Sequence, residues 1–355
     1  MHAGCAEGIT SDDDQAIQHS ANETEVAELL ADLANRIPSH RQSKEPVITE
    51  DKGIQVTSGD LGTKFLSTLT DINIVSFTGL PSMDLLDALV TCYENVAPLS
   101  GRHHLTAKER VVLTMMKLKH NMSFTFLSGL FGCSSSTCSI IVTQTVKTLA
   151  RILSSVVVLP AKEEILRNMP KQFERYQNVR IVLDCTEVPV SQPKCLNCAI
   201  NVYSYYKKAF TCKYMIGVTP GGIIAHVSKG YGGRASDKRI FEESGLVDQL
   251  IPFKDAVMVD RGFLIDSVCE ANFIPVIRPP FKRKQCQLPK NAALETQTIA
   301  AARVHVERAI QRMKIFKILS TKVLWSTVPI LDDIVIITAA VTNLSAPIFS
   351  SCRFL

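Results

Sequence analysis

Apolar residues are spaced in three different ways along this chain, and the changes divide it. Residues 1–62 hold few apolar positions and end in a Gly/Ser/Thr-rich stretch from Gly53 to Gly62. Only Glu23 to Ile37, with Val26, Leu29, Leu30 and Leu33 on one side, has helical spacing. The remainder of this acidic tail is too polar to bury a core and is expected to be disordered.

Residues 63–158 carry apolar positions every three or four residues, which predicts helices. Ser82 caps one running from Asp84 to Glu94. Thr106-x-x-Glu109 has the capping-box pattern and opens a second, bearing Val111, Val112, Met115, Met116 and Leu118. A short helix from Ser123 to Phe131 stops at Gly132. Ser134-Ser135-Ser136-Thr137 then opens a long helix with Ile140, Ile141, Val146, Leu149 and Leu153. A short helix, a glycine turn and a longer helix have the shape of a helix-turn-helix that binds DNA. A purely structural helical hairpin has the same signature.

From 175 to 348 strand and helix patterns alternate. Asn178 to Asp184 (NVRIVLD), Ala209 to Val218, Ile223 to Ser228, Ala256 to Val259 and Phe273 to Ile277 read as strands. Pro220-Gly221-Gly222 joins the second and third as a hairpin. Helices are expected from Ser236 or Asp237 to Leu250, Ile265 to Ala271, Glu295 to Phe316 and Ile330 to Leu344. The fold class is therefore α/β, a mixed-sheet domain preceded by an all-α unit. A meander of three strands followed by alternating helices and strands is the element order of an RNase H-like domain.

Composition narrows the class. No apolar run reaches the ~18 residues of a membrane helix; the best candidate, Ile334 to Leu344, is short and follows Asp332 and Asp333. The N-terminus carries Glu7, Asp12, Asp13 and Asp14, where a signal peptide needs positive charge and an apolar stretch. The 11 cysteines are odd in number and lack a framework, so they read as free thiols of a reducing compartment. An intracellular protein with no membrane partner is expected. The net charge of +5 is uneven: residues 1–60 hold twelve Asp/Glu and four Lys/Arg, a net of −8 that leaves +13 on the rest. A basic body suits a polyanion such as nucleic acid, although many soluble domains are equally basic.

Candidate chemistry begins with carboxylates at expected strand ends, Asp184 in LDCTE and Asp260 in VMVDRGF. Sites in open α/β sheets gather there, and an Asp after a buried strand needs water, a partner or a metal. Each, alone, also reads as a helix cap or turn residue. Glu307 comes with geometry. At 100° per residue, with Arg303 at zero, Glu307 falls at about 40° and Lys314 at about 20°. Val306, Ile310, Met313 and Phe316 span about 220–340°, so the charged stripe borders the buried arc. His305, at about 200°, faces away. The bland alternative is an Arg303–Glu307 i,i+4 ion pair worth ~0.2–0.5 kcal/mol. Three hard carboxylates suit two Mg²⁺ ions (Mn²⁺ is possible), ~3.5–4 Å apart across a phosphodiester. Asp184 is assigned to bridge them. Cys195-x₂-Cys198 lacks a second ligand pair nearby and is read as ordinary thiols. Lys282-Arg283-Lys284 is too short to decide between a DNA contact and a nuclear signal.

The stretches LDCTEVPV, YSYYKKAFTCKYMIGVTPGG, YGGRASDKRIFEESGL, VMVDRGF, RPPF and RVHVERAIQRMK resemble the DDE superfamily endonuclease domain of PIF/Harbinger-like transposases, the ISL2EU group included. FTGLPSMDLLDALV and the Ser134 to Leu153 helix resemble the helix-turn-helix segment preceding that domain. The resemblance implies an RNase H-like fold and a two-metal mechanism, with catalytic and metal-binding acids at Asp184, Asp260 and Glu307. Arg303, Glu307 and Lys314 are spaced as in a signature of related bacterial transposases, which has tyrosine where Ala300 stands here. The family's tyrosine-and-lysine loop matches Tyr206, Lys207 and Lys208, with Tyr205 where glycine is common. Tyr206, Lys207, Lys208, Arg234, Lys238, Arg303 and Lys314 are expected to contact DNA. Asp237 reads as a helix cap. The N-terminal zinc-binding module common in relatives is absent, since residues 1–60 hold one cysteine and no ligand set. A nuclear transposase acting on transposon ends and target is expected, as a homo-oligomer and with a Myb-like accessory protein in some relatives. A domesticated DNA-binding protein without catalysis and a plain metal-dependent nuclease are the alternatives.

Overall fold

The structure, a computed structural model, describes residues 65–97, 104–280 and 290–347, with backbone only at 290–292. The expected tail, the helix at 23–37 and the basic run at 282–284 lie outside the described residues.

Five helices come first: α1 (Ile74–Thr78), α2 (Met83–Val96), α3 (Ala107–His120), α4 (Phe124–Phe131) and α5 (Ser135–Leu153). Their starts follow from local chemistry. Ser82, Ser123 and Ser134 each accept a backbone N–H of the first turn, and Thr106 and Glu109 form a reciprocal capping box. Gly132 ends α4 in the left-handed region (φ 65°), which glycine adopts without a Cβ clash. The axis then turns by 96° into the α5 stretch, within the range of a helix-turn-helix. α5 buries Cys138, Ile141, Val142, Val146 and Leu149. Its opposite side exposes Ser136, Ile140, Gln144, Lys147 and Arg151.

After α6 (Lys162–Arg167) the chain enters the sheet: β1 (Val179–Pro189), α7 (Leu196–Val202), β2 (Tyr203–Ser204), β3 (Ala209–Val218), β4 (Ile224–Val227), β5 (Tyr231–Gly232), α8 (Asp237–Glu243), β6 (Ala256–Met258), α9 (Asp266–Ala271), β7 (Val276–Ile277), α10 (Lys290–Met313) and α11 (Leu331–Asn343). The seven strands run β2-β3-β1-β6-β7, with β4 and β5 also on β3. β1 and β3 are antiparallel; β1, β6 and β7 are parallel. Period-two alternation separates two faces. Ile181 and Leu183 pack with Ile240 and Phe241 of α8 and Cys269 of α9. Val182 and Ile216 join the larger core with Val306 of α10 and Ile334 of α11. That core is continuous with Leu113 of α3 and Val146 of α5, so the helical unit and the sheet share one interior.

Four expectations are corrected. β1 runs five residues past Asp184, because its pairing with β3 continues from Asp184↔Ile216 to Pro189↔Thr211. The helix expected to reach Leu250 stops at Glu243, where Ser244 and left-handed Gly245 (φ 68°) break it. β7 begins at Val276 rather than Phe273, which is itself left-handed (φ 56°). The stretch Trp325–Asn343, 19 residues, is long and apolar enough to cross a membrane by composition. Its α11 part lies in the core, with Leu331, Ile337, Ala339 and Ala340 fully buried.

Candidate active site

The parallel pairing of β1 with β6 ends at Val182↔Met258, two residues before Asp184 and two before Asp260. Asp184 therefore sits where β1 has lost one neighbour, although the strand itself goes on. Alternation turns its side chain to the face that α10 covers, since Val182 and Ile216 share that face. α10 lies across β1 and β3 and brings Arg303 and, one turn later, Glu307 to this edge.

Arg303 is the centre of the cluster. Its side chain is 11% exposed, and Nη1 donates to Oδ1 of the 55% exposed Asp260 at 2.8 Å. Burial pushes the Asp184 carboxyl up to about 6. The Arg303 charge and the Cys185 N–H, 2.9 Å from Oδ1, oppose the rise, while the charges of Asp260 and Glu307 add to it. Asp184 thus feels two acids on elements far from it in sequence. Lys314 follows α10, half-buried; burial lowers its ammonium, and so does the charge of Lys207, while Asp184 and Glu187 counter this.

The remaining predicted residues divide. Tyr206, Lys207 and Lys208 form an exposed loop after β2, with Lys207 Nζ 4.7 Å above the Tyr206 ring and Lys208 in the left-handed region (φ 51°). Through Lys207 the loop borders the Lys314 side of the cluster. Arg234 and Lys238 are exposed on the α8 side of the sheet, and Lys238 lies 3.7 Å from Glu242 of its own helix. They do not join the acids. Asp237 is not the cap of α8: Ser236 is, accepting from the Arg239 N–H. Asp237 instead meets Lys213 Nζ of β3 at 2.6 Å, beside Cys185, whose thiol is pushed far up by burial and by Asp237. Sequence reading missed this pair, and missed Glu187, which accepts from Thr211 Oγ1 at 2.7 Å. Strand alternation alone could have put Cys185 opposite Asp184; the partners are set by register. His305 is structural: Nδ1 donates to the Pro220 carbonyl at 2.7 Å and the ring meets Phe173 edge-on.

Among the described residues no three His, Cys, Asp or Glu side chains stand together as a ready-made metal site, at the acids or around Cys195 and Cys198. The donor chemistry nevertheless fits a hard divalent cation. Asp184 is desolvated and feels the charges of Asp260 and Glu307, and hard oxygen donors of this kind select Mg²⁺-like ions over soft ones.

Residues 183–343 match the family model described as DDE superfamily endonuclease, and residues 103–155 match that described as helix-turn-helix of DDE superfamily endonuclease. The first match contains Asp184, Asp260, Arg303 and Glu307; the second spans α3 to α5. Neither a curated protein nor a solved structure matches the chain.

Proposed function

We infer, from the match to a DDE superfamily endonuclease model preceded by a match to its helix-turn-helix, that this chain is a DDE transposase with DNA as its partner. We propose that this chain is a DNA transposase of the PIF/Harbinger type, with an RNase H-like catalytic domain at 175–348 and a DNA-binding domain at 63–158. It would work in the nucleus on transposon ends, as an oligomer and with a Myb-like helper. The observation that carries the catalytic part is the placing of Asp184 and Asp260 two residues beyond the end of the β1–β6 pairing, with Arg303 of α10 bound to Asp260 at 2.8 Å.

Enzymes of the DDE superfamily use divalent metals. In this reading Asp184, Asp260 and Glu307 would hold divalent ions of the Mg²⁺ kind, which would supply activation of a water or 3′-OH and charge stabilisation at the leaving oxygen. The chain's own residues do the rest. Arg303, Lys314, Lys207 and Lys208 hold phosphates as charge-assisted donors. Tyr206 backs Lys207 as an exposed aromatic. α5 offers Ser136, Ile140, Gln144 and Lys147 to a DNA groove. The first step is hydrolysis of a phosphodiester and the second is transfer of the freed 3′ end to target DNA.

A second reading, a domesticated DNA-binding protein, draws on the absence among the described residues of a preformed ligand set. Incubating the protein with a duplex carrying terminal inverted repeats and Mg²⁺ separates the three readings. Nicked and joined products support the transposase. Nicked products alone leave a nuclease, and bound but uncut DNA leaves the domesticated protein.

A further inference from the structure

Arg303 has more donors than partners. Nη1 reaches Asp260, while Nε is buried with no acceptor among the described residues. A guanidinium carries five N–H donors in a planar fork that a phosphate can fill bidentately. The Asp260 it holds is more than half exposed, so water screens the pair from that side and can solvate the carboxylate when it is released. Exchange of Asp260 for a better anion is therefore cheap.

The same guanidinium lies where the three acids need positive charge. It precedes Glu307 by one helical turn, and it is the leading charge opposing the burial of Asp184. Lys314 feels the charge of Asp184 as well, and Lys207 repels it. A divalent ion entering between Asp184 and Asp260 would meet a fixed like charge and lose an Asp260 oxygen already engaged. Such a counter-charge accords with the lack, among the described residues, of a ready ligand set at the acids.

The geometry points to Arg303 as a displaceable counter-ion of the acidic cluster: without DNA it holds Asp260 and keeps divalent cations weakly bound, and a DNA phosphate draws it away. The inference rests on the metal-binding reading above. Metal and DNA then strengthen each other's binding by one shared factor, because linkage is reciprocal. The practical result is an acidic centre that arms on substrate and stays idle on free protein.

The test measures Mn²⁺ binding by the paramagnetic resonance signal of the free ion, using the full chain without turnover. Arg303→Gln should bind Mn²⁺ about tenfold more tightly than wild type, within the usual range of coupling between sites. Arg303→Lys, which keeps the charge, should bind it as weakly as wild type. A short duplex of arbitrary sequence should tighten Mn²⁺ binding to wild type by a similar factor and leave Arg303→Gln unchanged, since phosphate contacts carry no sequence information. Arg303→Met is the second uncharged variant should the glutamine destabilise the fold, and circular-dichroism melts establish which variants are native. If uncharged variants bind Mn²⁺ no better than wild type while Asp184→Asn loses it, the counter-ion role falls and the metal site stands. If Asp184→Asn binds Mn²⁺ as wild type does, the metal site falls and the counter-ion role with it.

Discussion

Two aspartates flank the three-residue strand β6, and they have opposite fates. Asp255, before the strand, has a fully buried side chain. Lys162 Nζ lies 2.8 Å from Oδ1, Arg180 Nε 3.6 Å from Oδ2, and the Ile251 N–H donates to Oδ2 at 3.0 Å. Asp260, after the strand, is open to solvent, is paired with one arginine and acts on a further acid, Asp184. The first carboxylate is saturated by protein; the second belongs to a group whose negative charge exceeds what the protein supplies. Saturation makes a brace between α6, β1 and β6, and shortage makes a place for an ion or a phosphate.

The largest difference should appear in activity. Asp260→Asn should reduce divalent-metal-dependent DNA cleavage to background, as should Asp184→Asn and Glu307→Gln, with melting temperatures close to wild type. Cleavage near the wild-type rate in any one variant removes that residue from the site. Asp255→Ala should behave in the reverse manner. Removing one partner of a buried pair leaves uncompensated charge, at a cost of about 3–5 kcal/mol, read by urea denaturation. Asp260→Asn in the same assay should stay within about 1 kcal/mol. Equal costs at the two positions would erase the contrast.

A smaller effect sharpens it on α10, which carries Arg303 and Glu307 on one side and His305 on the other. Burial lowers His305 to about 4, and His226 likewise. A base with a depressed folded pKa gives stability that is full above its ordinary value near 6.5 and is lost as pH falls toward 4. The melting temperature should thus drop between pH 6.5 and pH 4, and His305→Asn should reduce that drop. An unchanged pH profile in the variant would show that His305 is not held neutral. The smallest effect is expected at α5, where Ser134→Ala removes the cap on the Thr137 N–H and should cost about 1 kcal/mol. A loss below a few tenths would mean that packing alone sets the start of this helix.

The sequence made local events legible and left partner-dependent ones hidden. Thr106 with Glu109, and Ser134 before a Ser/Thr run, announce helix starts because capping is settled within four residues. Asp184, Asp260 and Glu307 were readable as candidates because each follows or joins a strong apolar pattern. The length of β1 was not readable. Pro189, which has no N–H for the ladder, marks its end, but that the strand continues past Asp184 depends on its pairing with β3. Nor could the sequence separate Asp255 from Asp260, since both lie in one short segment beside basic residues, Lys254 and Arg261. Lys162 and Arg180, which close Asp255, come from other elements. Lys213 and Asp237 are likewise joined only by the packing of α8 on β3.

The single interior shared by the helical unit and the sheet bears on how the two halves would handle one duplex. Val146 of α5 and Ile334 of α11 belong to the same buried cluster, so the surface proposed to read DNA cannot swing freely against the acids. A molecule built this way behaves as a caliper. On the proposed function, the number of base pairs between the sequence it would grip and the bond it would cut becomes a property of the protein's interior, to be altered by repacking that interior and not by lengthening a tether.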